Sequence, residues 1–111
     1  MAVDFDSLFA SFRDIKIGVI GDVMLDIYWW GQVDRISPEA PVPVVAMEKK
    51  EQRIGGASNV ALNLSALGVQ VSMLTVMGED ENGAQLKQLL EQNHIETRWL
   101  LQHASRITTT K

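Results

Sequence analysis

Apolar residues recur along this chain in stretches of different period, and the changes of period divide it into elements. Asp4 to Arg13 sets Phe5, Leu8, Phe9 and Phe12 on one helical face behind Asp4 or Asp6 as an N-cap, which predicts a short amphipathic leader helix. Ile15 to Ile20 is a β-branched run that stops at Gly21, the composition of a buried strand opening an α/β sheet. Ile27–Val33 and Val42–Glu48 read as two further strands. Pro38, Pro41 and Pro43 lie in and beside their connection, and proline fits neither a helix interior nor a central strand, so edge strands or a small flap are predicted. From Gly56 to Leu67 the apolar Ala57, Val60, Ala61, Leu64 and Leu67 return to helical spacing, with Gly68 at the C′ position. Val69–Met77 follows as a second buried strand, completing a βαβ unit. Asn82–Gln92 is an amphipathic helix carrying Ala84, Leu86, Leu89 and Leu90, and Ile95–Leu101 and Arg106–Thr110 read as strands.

Composition narrows the function classes. A chain of 111 residues with 46% hydrophobic content can build one small core or part of a larger one. Its formal net charge of -4 leaves no basic footprint for a phosphate backbone, so no nucleic-acid partner is expected. There is no cysteine, which removes disulfides and thiolate metal sites. His94 and His103 lack partners at metal-ligand spacing, and no metal site is predicted. Neither a signal-peptide pattern nor an apolar run of bilayer length occurs, which leads to the expectation of a cytoplasmic protein with no membrane partner.

The chemistry concentrates around Gly55-Gly56-Ala57-Ser58-Asn59-Val60-Ala61, with Gly68 and Gly78 beyond it. Paired glycines ahead of an apolar helix admit a bulky ligand to the backbone, and the amides of a helix start can bind oxygen atoms. That outlines a polyol or phosphate site. Asp22, Asp26 and Asn59 are short polar side chains next to strand ends or the helix start, able to hold sugar hydroxyls. A turn or cap role stays open for Asp26 and Asn59, and a loop carboxylate bonded to its own backbone for Asp22. Arg35, Arg53, Arg106 and Lys111 are candidates to grip a phosphate, with Arg35 bordering the run Ser37–Val45. Gly18-Val19-Ile20-Gly21 follows strand composition but lacks the dinucleotide fingerprint, and no Walker A pattern is present.

Gly55, Gly56, Ala57, Asn59, Ala61, Gly68 and Gly78 fill the defined positions of the amino-terminal signature of the ribokinase-like carbohydrate kinases, and the chain resembles that family from about Ile17 onward. Gly21–Gly31 together with Arg35-Ile36-Ser37-Pro38-Glu39-Ala40-Pro41-Val42-Pro43-Val44-Val45 is similar to the heptose 7-phosphate kinase branch. The resemblance implies an α/β, ribokinase-like three-layer sandwich, present in part, with a small β flap or lid at about 27–54. It implies that Asp26 binds sugar hydroxyls, that Asn59 is the signature asparagine, and that the sugar lies over Gly55 and Gly56. ATP and Mg2+ are implied as cofactors, the acceptor as a small-molecule sugar phosphate, and the lid strands as a homodimer contact covering Tyr28, Trp29 and Trp30. The implied reaction moves the γ-phosphoryl of ATP to the anomeric hydroxyl of D-glycero-D-manno-heptose 7-phosphate. The nucleotide-binding part and the catalytic base are expected beyond residue 111, so the chain reads as the amino-terminal part of one kinase domain. Two alternatives stay open: a kinase of another sugar or nucleoside, and a non-catalytic sugar-binding or dimerisation module.

Overall fold

The computed structural model describes residues 2–111. Helix α1 (Phe5–Ser11) starts where Asp4 caps it, accepting from the N–H groups of Asp6 and Ser7 at 3.1 and 3.3 Å, and runs into a 3-10 turn over Phe12–Asp14. The expected apolar stripe is there, with Phe9 and Phe12 in an edge-to-face pair at 5.2 Å. Only Phe12 reaches the core; Phe5, Leu8 and Phe9 remain exposed.

Strand β1 (Lys16–Ile20) pairs in parallel with β4 (Gln70–Gly78), and β4 pairs in parallel with β5 (Leu100–His103), giving the sheet order β1-β4-β5. Helix α2 (Ala57–Ala66) makes the crossover from β1 to β4, and Gly68 ends it with a φ of 94°. Helix α3 (Glu81–Gln92) follows β4. Between β1 and α2 the chain makes a long antiparallel ribbon of β2 (Val23–Ile36) and β3 (Pro43–Gly56).

The core gathers Val71, Met73 and Met77 of β4, Leu86 and Leu90 of α3, Ala61 of α2, and Val23, Leu25 and Ile54 from the base of the ribbon. The outer ribbon leaves this core, and Trp29, Trp30, Val33, Val45 and Met47 are exposed there. Apolar side chains alternate across both faces of β2, so neither face of the outer ribbon is covered among the described residues.

Several expectations need correction. β1 is not buried: its positions alternate between exposed and half-buried, and Ile20 is 82% exposed, because one face of the sheet is left open at β1 among the described residues. The ribbon strands are longer than 27–33 and 42–48, since cross-strand hydrogen bonds carry the pairing through polar stretches that show no apolar alternation. Of 95–101, only the end from Leu100 enters β5; Glu96 makes an isolated parallel bridge to Ser72. Arg106–Thr110 is not a continuous strand. Only its end pairs with β2: Leu25 N donates to Thr109 O at 2.9 Å, Lys111 N to Leu25 O at 3.1 Å, and Ile27 N to Lys111 O at 2.8 Å.

A polar knot at the end of β4 steers that tail. Asp80 caps α3 by accepting from Gly83 N at 2.7 Å, and its other oxygen accepts from Thr108 N at 2.8 Å. The Thr108 side chain, 2% exposed, accepts from Gly78 N at 3.0 Å. No side chain fits at Gly78, where a Cβ would meet Asp80 Oδ2 at 2.5 Å and Thr108 N at 2.9 Å. The Thr108 hydroxyl, then the Thr108 and Gly83 N–H groups, hold the Asp80 carboxyl below the ordinary aspartate range.

A depressed folded-state pKa contributes stability that is present above the unfolded pKa and lost as pH falls through the folded one. Asp80→Asn is therefore expected to lower the melting temperature at neutral pH, with the gap to the parent closing on acidification below the usual aspartate range; thermal melts at several pH values check this. Gly56 sits at φ 63°, ψ -139°, where only glycine is at ease, and a Cβ there would meet Asp22 O at 2.5 Å. Gly56→Ala is expected to cost about 1–3 kcal/mol from backbone strain alone, read as a lower urea midpoint.

Candidate functional site

Strand alternation builds the site. Along β2, Val23 and Leu25 turn into the core, so Met24, Asp26, Tyr28 and Trp30 share the opposite face. The register then places Gly55 across from Met24, Arg53 across from Asp26 and Glu51 across from Tyr28. Residues directly across from one another project to the same side of a sheet. That face therefore carries, on adjacent strands, a carboxylate, an arginine, a tyrosine and the first glycine of the pair.

Asp26 is folded down onto Gly55. A Cβ on Gly55 would lie 2.7 Å from Asp26 Oδ2 and 2.9 Å from Oδ1, so the carboxylate occupies the space that any other residue would fill. Asp26 Oδ1 is buried and has no hydrogen-bond partner among the described residues. A buried carboxylate oxygen without a donor costs free energy, and a hydroxyl donor supplied by a ligand removes that cost.

The glycine pair sets up the floor. Gly56 turns the chain into α2 with its positive φ, and Ala57 N donates to Asp22 O at 2.8 Å, which ties the helix start to the end of β1. Ser58, wholly buried, donates its hydroxyl proton to Gly55 O and fixes the carbonyl at the bend. α2 has neither a capping side chain nor an acidic residue in its first turn. Its positive end thus carries no compensating charge from the helix itself and is suited to oxygen-rich ligands.

Of the residues expected from the sequence, the structure brings together Asp26, Gly55, Gly56 and the backbone of Asp22. The Asp22 side chain is 93% exposed and stands 3.9 Å from Arg106. Its carbonyl, not its carboxylate, does the structural work. Lys111 donates to Leu25 O and accepts from Ile27 N, which puts it across from Asp26 on the side of β2 away from β3. Asn59 is exposed in the first turn of α2 and makes no side-chain hydrogen bond among the described residues. Arg35 is not brought in: it lies nine positions along β2 from Asp26, roughly 30 Å at about 3.3 Å per residue.

The sequence reading named Arg53 only as one of four candidates to grip a phosphate and did not set it beside Asp26. Its guanidinium donates to Glu51 Oε1 at 2.8 Å and lies 4.8 Å from the centre of the Tyr28 ring. The Arg53 side chain, by hydrogen bond and then by charge, holds the Glu51 carboxyl below its ordinary range. The signal was the strand parity of Asp26, Tyr28, Glu51 and Arg53, which becomes readable only once the register of the ribbon is known.

A concavity lies elsewhere. It has a volume of 650 Å3 and is lined by Lys16, Gln70 and Ser72 at the start of the parallel strands, with Glu91, His94 and Arg98. Ligands of open α/β sheets sit at the carboxyl ends of the strands, the end at which β1 delivers Asp22 and the glycine bend. We therefore place the site at Asp26. The described residues hold no group of three or more His, Cys, Asp or Glu side chains able to bind a metal. No helix among them is long and apolar enough to cross a membrane.

The chain is similar to several known proteins. The bifunctional protein HldE of Haemophilus influenzae is 50% identical over 91 residues, which make up 82% of this chain and 19% of that protein. The D-beta-D-heptose 7-phosphate kinase of Bordetella bronchiseptica is 52% identical over 82 residues, 74% of this chain and 26% of that protein. The chain thus spans about a fifth to a quarter of the length of the curated relatives it matches. A solved carbohydrate kinase from Agrobacterium tumefaciens superposes with a TM-score of 0.69 at 26% identity, covering 86% of this chain and 30% of that one, and the ribokinase-like α/β fold is shared. The description "pfkB family carbohydrate kinase" matches residues 14–111, which include the ribbon, the glycine bend and the tail; the chain belongs to the pfkB family of carbohydrate kinases.

Proposed function

We propose that these residues form the acceptor-holding part of an ATP-dependent kinase that phosphorylates the anomeric hydroxyl of D-glycero-D-manno-heptose 7-phosphate to the 1,7-bisphosphate, a precursor of ADP-heptose for lipopolysaccharide. The observation that carries the reading is the buried, unpartnered Asp26 Oδ1 set over the Gly55 floor. The names of the HldE and heptose 7-phosphate kinase relatives support the choice of acceptor.

In this reading the sugar lies over Gly55 and Gly56, where no side chain intervenes, and its vicinal hydroxyls donate to Asp26. Asn59 offers a further donor and acceptor from α2. The ribbon at about 27–54 acts as a lid, and a second copy of the chain covers its exposed outer face around Trp29, Trp30, Val45 and Met47. Phosphoryl transfer makes a bond from the anomeric oxygen to the γ-phosphorus and breaks the bond to the β–γ bridging oxygen, releasing ADP. The hydroxyl proton passes to a base. Residues 1–111 supply positioning, which confines the acceptor to an in-line approach. No base is assigned among them, and the nucleotide is held by other parts of the kinase. On this reading the reaction belongs to the cytoplasm.

The deciding assay is ADP release by a polypeptide of the relatives' length carrying this segment, with heptose 7-phosphate, ribose, fructose 6-phosphate and adenosine offered in turn. Release confined to heptose 7-phosphate is expected. Release with another acceptor instead would discard the heptose assignment, and no release with any acceptor would discard the kinase.

Asp26→Asn keeps the volume but replaces one acceptor oxygen by a donor. It is expected to lower kcat/KM for the sugar by on the order of 100-fold, the worth of one or two hydrogen bonds to a charged group. Thermal stability should hold or rise, because a buried unpaired charge is gone. A large fall in melting temperature instead would mark Asp26 as a structural residue.

A further inference from the structure

We propose that Arg53, with Lys111 flanking Asp26 from the opposite strand, is the residue that reads the phosphate carried by the acceptor sugar itself and so sets the preference for a phosphorylated over an unphosphorylated substrate. The inference rests on the kinase reading above and adds to it the source of its specificity.

The argument begins with register. Arg53 is the direct cross-strand partner of Asp26 in the β2–β3 ribbon. On the other side of β2, the bonds from Lys111 N to Leu25 O and from Ile27 N to Lys111 O form a parallel pairing that sets Lys111 opposite the same Asp26. Partners across a ladder project to one face. Arg53, Asp26 and Lys111 therefore make a row across the sheet, a carboxylate between two cations, on the face that looks over the glycine floor.

Such a row would ordinarily collapse into ion pairs. It does not: Asp26 Oδ1 has no partner, and Arg53 turns along the ribbon to Glu51 and lies over the Tyr28 ring. One nitrogen, Nε, is used on Glu51, and none of the described contacts consumes the two terminal amino groups of the guanidinium. The side chain is 54% exposed, so those groups are open to a ligand. Tyr28 and Glu51 fix the plane of the fork before anything binds. A fixed planar fork suits the paired oxygens of a phosphate, which a mobile ammonium cannot match for geometry.

The spacing fits a sugar phosphate. Cross-strand neighbours stand about 5 Å apart, and Arg53 leans a further residue pair outward, to Tyr28 and Glu51. A pyranose whose ring hydroxyls meet Asp26 extends its phosphorylated arm over that distance. Glu51 lies between Lys49 at 3.5 Å and Arg53 at 2.8 Å, and it competes with the incoming phosphate for the guanidinium.

The test compares kcat/KM for heptose 7-phosphate and for the dephosphorylated heptose in the full-length kinase carrying each variant. Arg53→Ala is expected to reduce the preference for the phosphorylated sugar by about 10- to 100-fold, the range for lost hydrogen bonds to a charged group. Arg53→Lys keeps the charge without the fork and should recover part of that loss. Glu51→Gln removes the competing charge and is expected to lower KM for the phosphorylated sugar by a factor of about 2–5, an effect that a merely structural arginine would not produce. An unchanged preference in Arg53→Ala overturns the inference while leaving the kinase intact. Should that variant fail to fold, an unchanged preference in both Arg53→Lys and Glu51→Gln overturns it equally. Absence of ADP release by the parent protein with any sugar phosphate overturns the kinase reading and this inference together.

Discussion

The first residues of β2 carry two jobs on two faces, and the site depends on keeping them apart. Val23 and Leu25 are packed in the core, which pins the strand so that Asp26 must face away from it. Because strand side chains alternate with a period of two, a slip of one residue would drive Asp26 into the core and lift Leu25 out. That slip is opposed on both edges of the strand. β3 holds one side through the pairs Val23–Gly56 and Leu25–Ile54, and the tail holds the other through Thr109 and Lys111. The carboxylate is therefore aimed by hydrophobic burial and backbone hydrogen bonding, with no need of a polar partner of its own. Its freedom from such partners is what leaves it available to a hydroxyl.

The glycine bend extends the same constraint to the helix. Gly56 adopts a backbone conformation closed to other residues, and the turn it makes lets Ala57 N reach Asp22 O. The end of β1, the start of β2 and the start of α2 are thereby tied within one turn. Behind it, the contact between Asp80, Thr108, Gly78 and Gly83 fixes where the tail passes the end of β4, and so where Lys111 arrives beside β2. Residues far apart in the sequence meet at one face because short, sterically closed turns leave few alternatives.

Much of this was legible in the sequence, and the parts that were not share a cause. Helix α2 and its Gly68 terminus, the Asp4 cap and the glycine pair are local features, decided by residues within a turn of one another, and the sequence shows them directly. The lengths of β2 and β3 are decided across the ribbon. Its outer half is exposed on both faces, so Gly31, Gln32, Lys49 and Lys50 carry no apolar alternation to mark them as strand. The Asp80–Thr108 contact joins residues 28 apart and leaves no periodic trace. The choice between Arg35 and Arg53 turns on register: adjacency to a distinctive run favours Arg35, while the pairing sets Arg53 beside Asp26 and carries Arg35 to the far end, past two irregularities in the ladder.

The contacts of Arg53 also explain how an arginine can stand directly across from Asp26 without pairing with it. A direct Arg53–Asp26 pair would satisfy both charges and compete with any hydroxyl donor presented to Asp26. Glu51 and Tyr28 draw the guanidinium outward instead, one by charge and hydrogen bond and the other through the face of its ring. Glu51 is itself shared with Lys49, so its hold on Arg53 is divided. A carboxylate and a cation are thus kept side by side without pairing with each other. A ligand that satisfies both at once carries hydroxyls at one end and an anion at the other, as the proposed acceptor does.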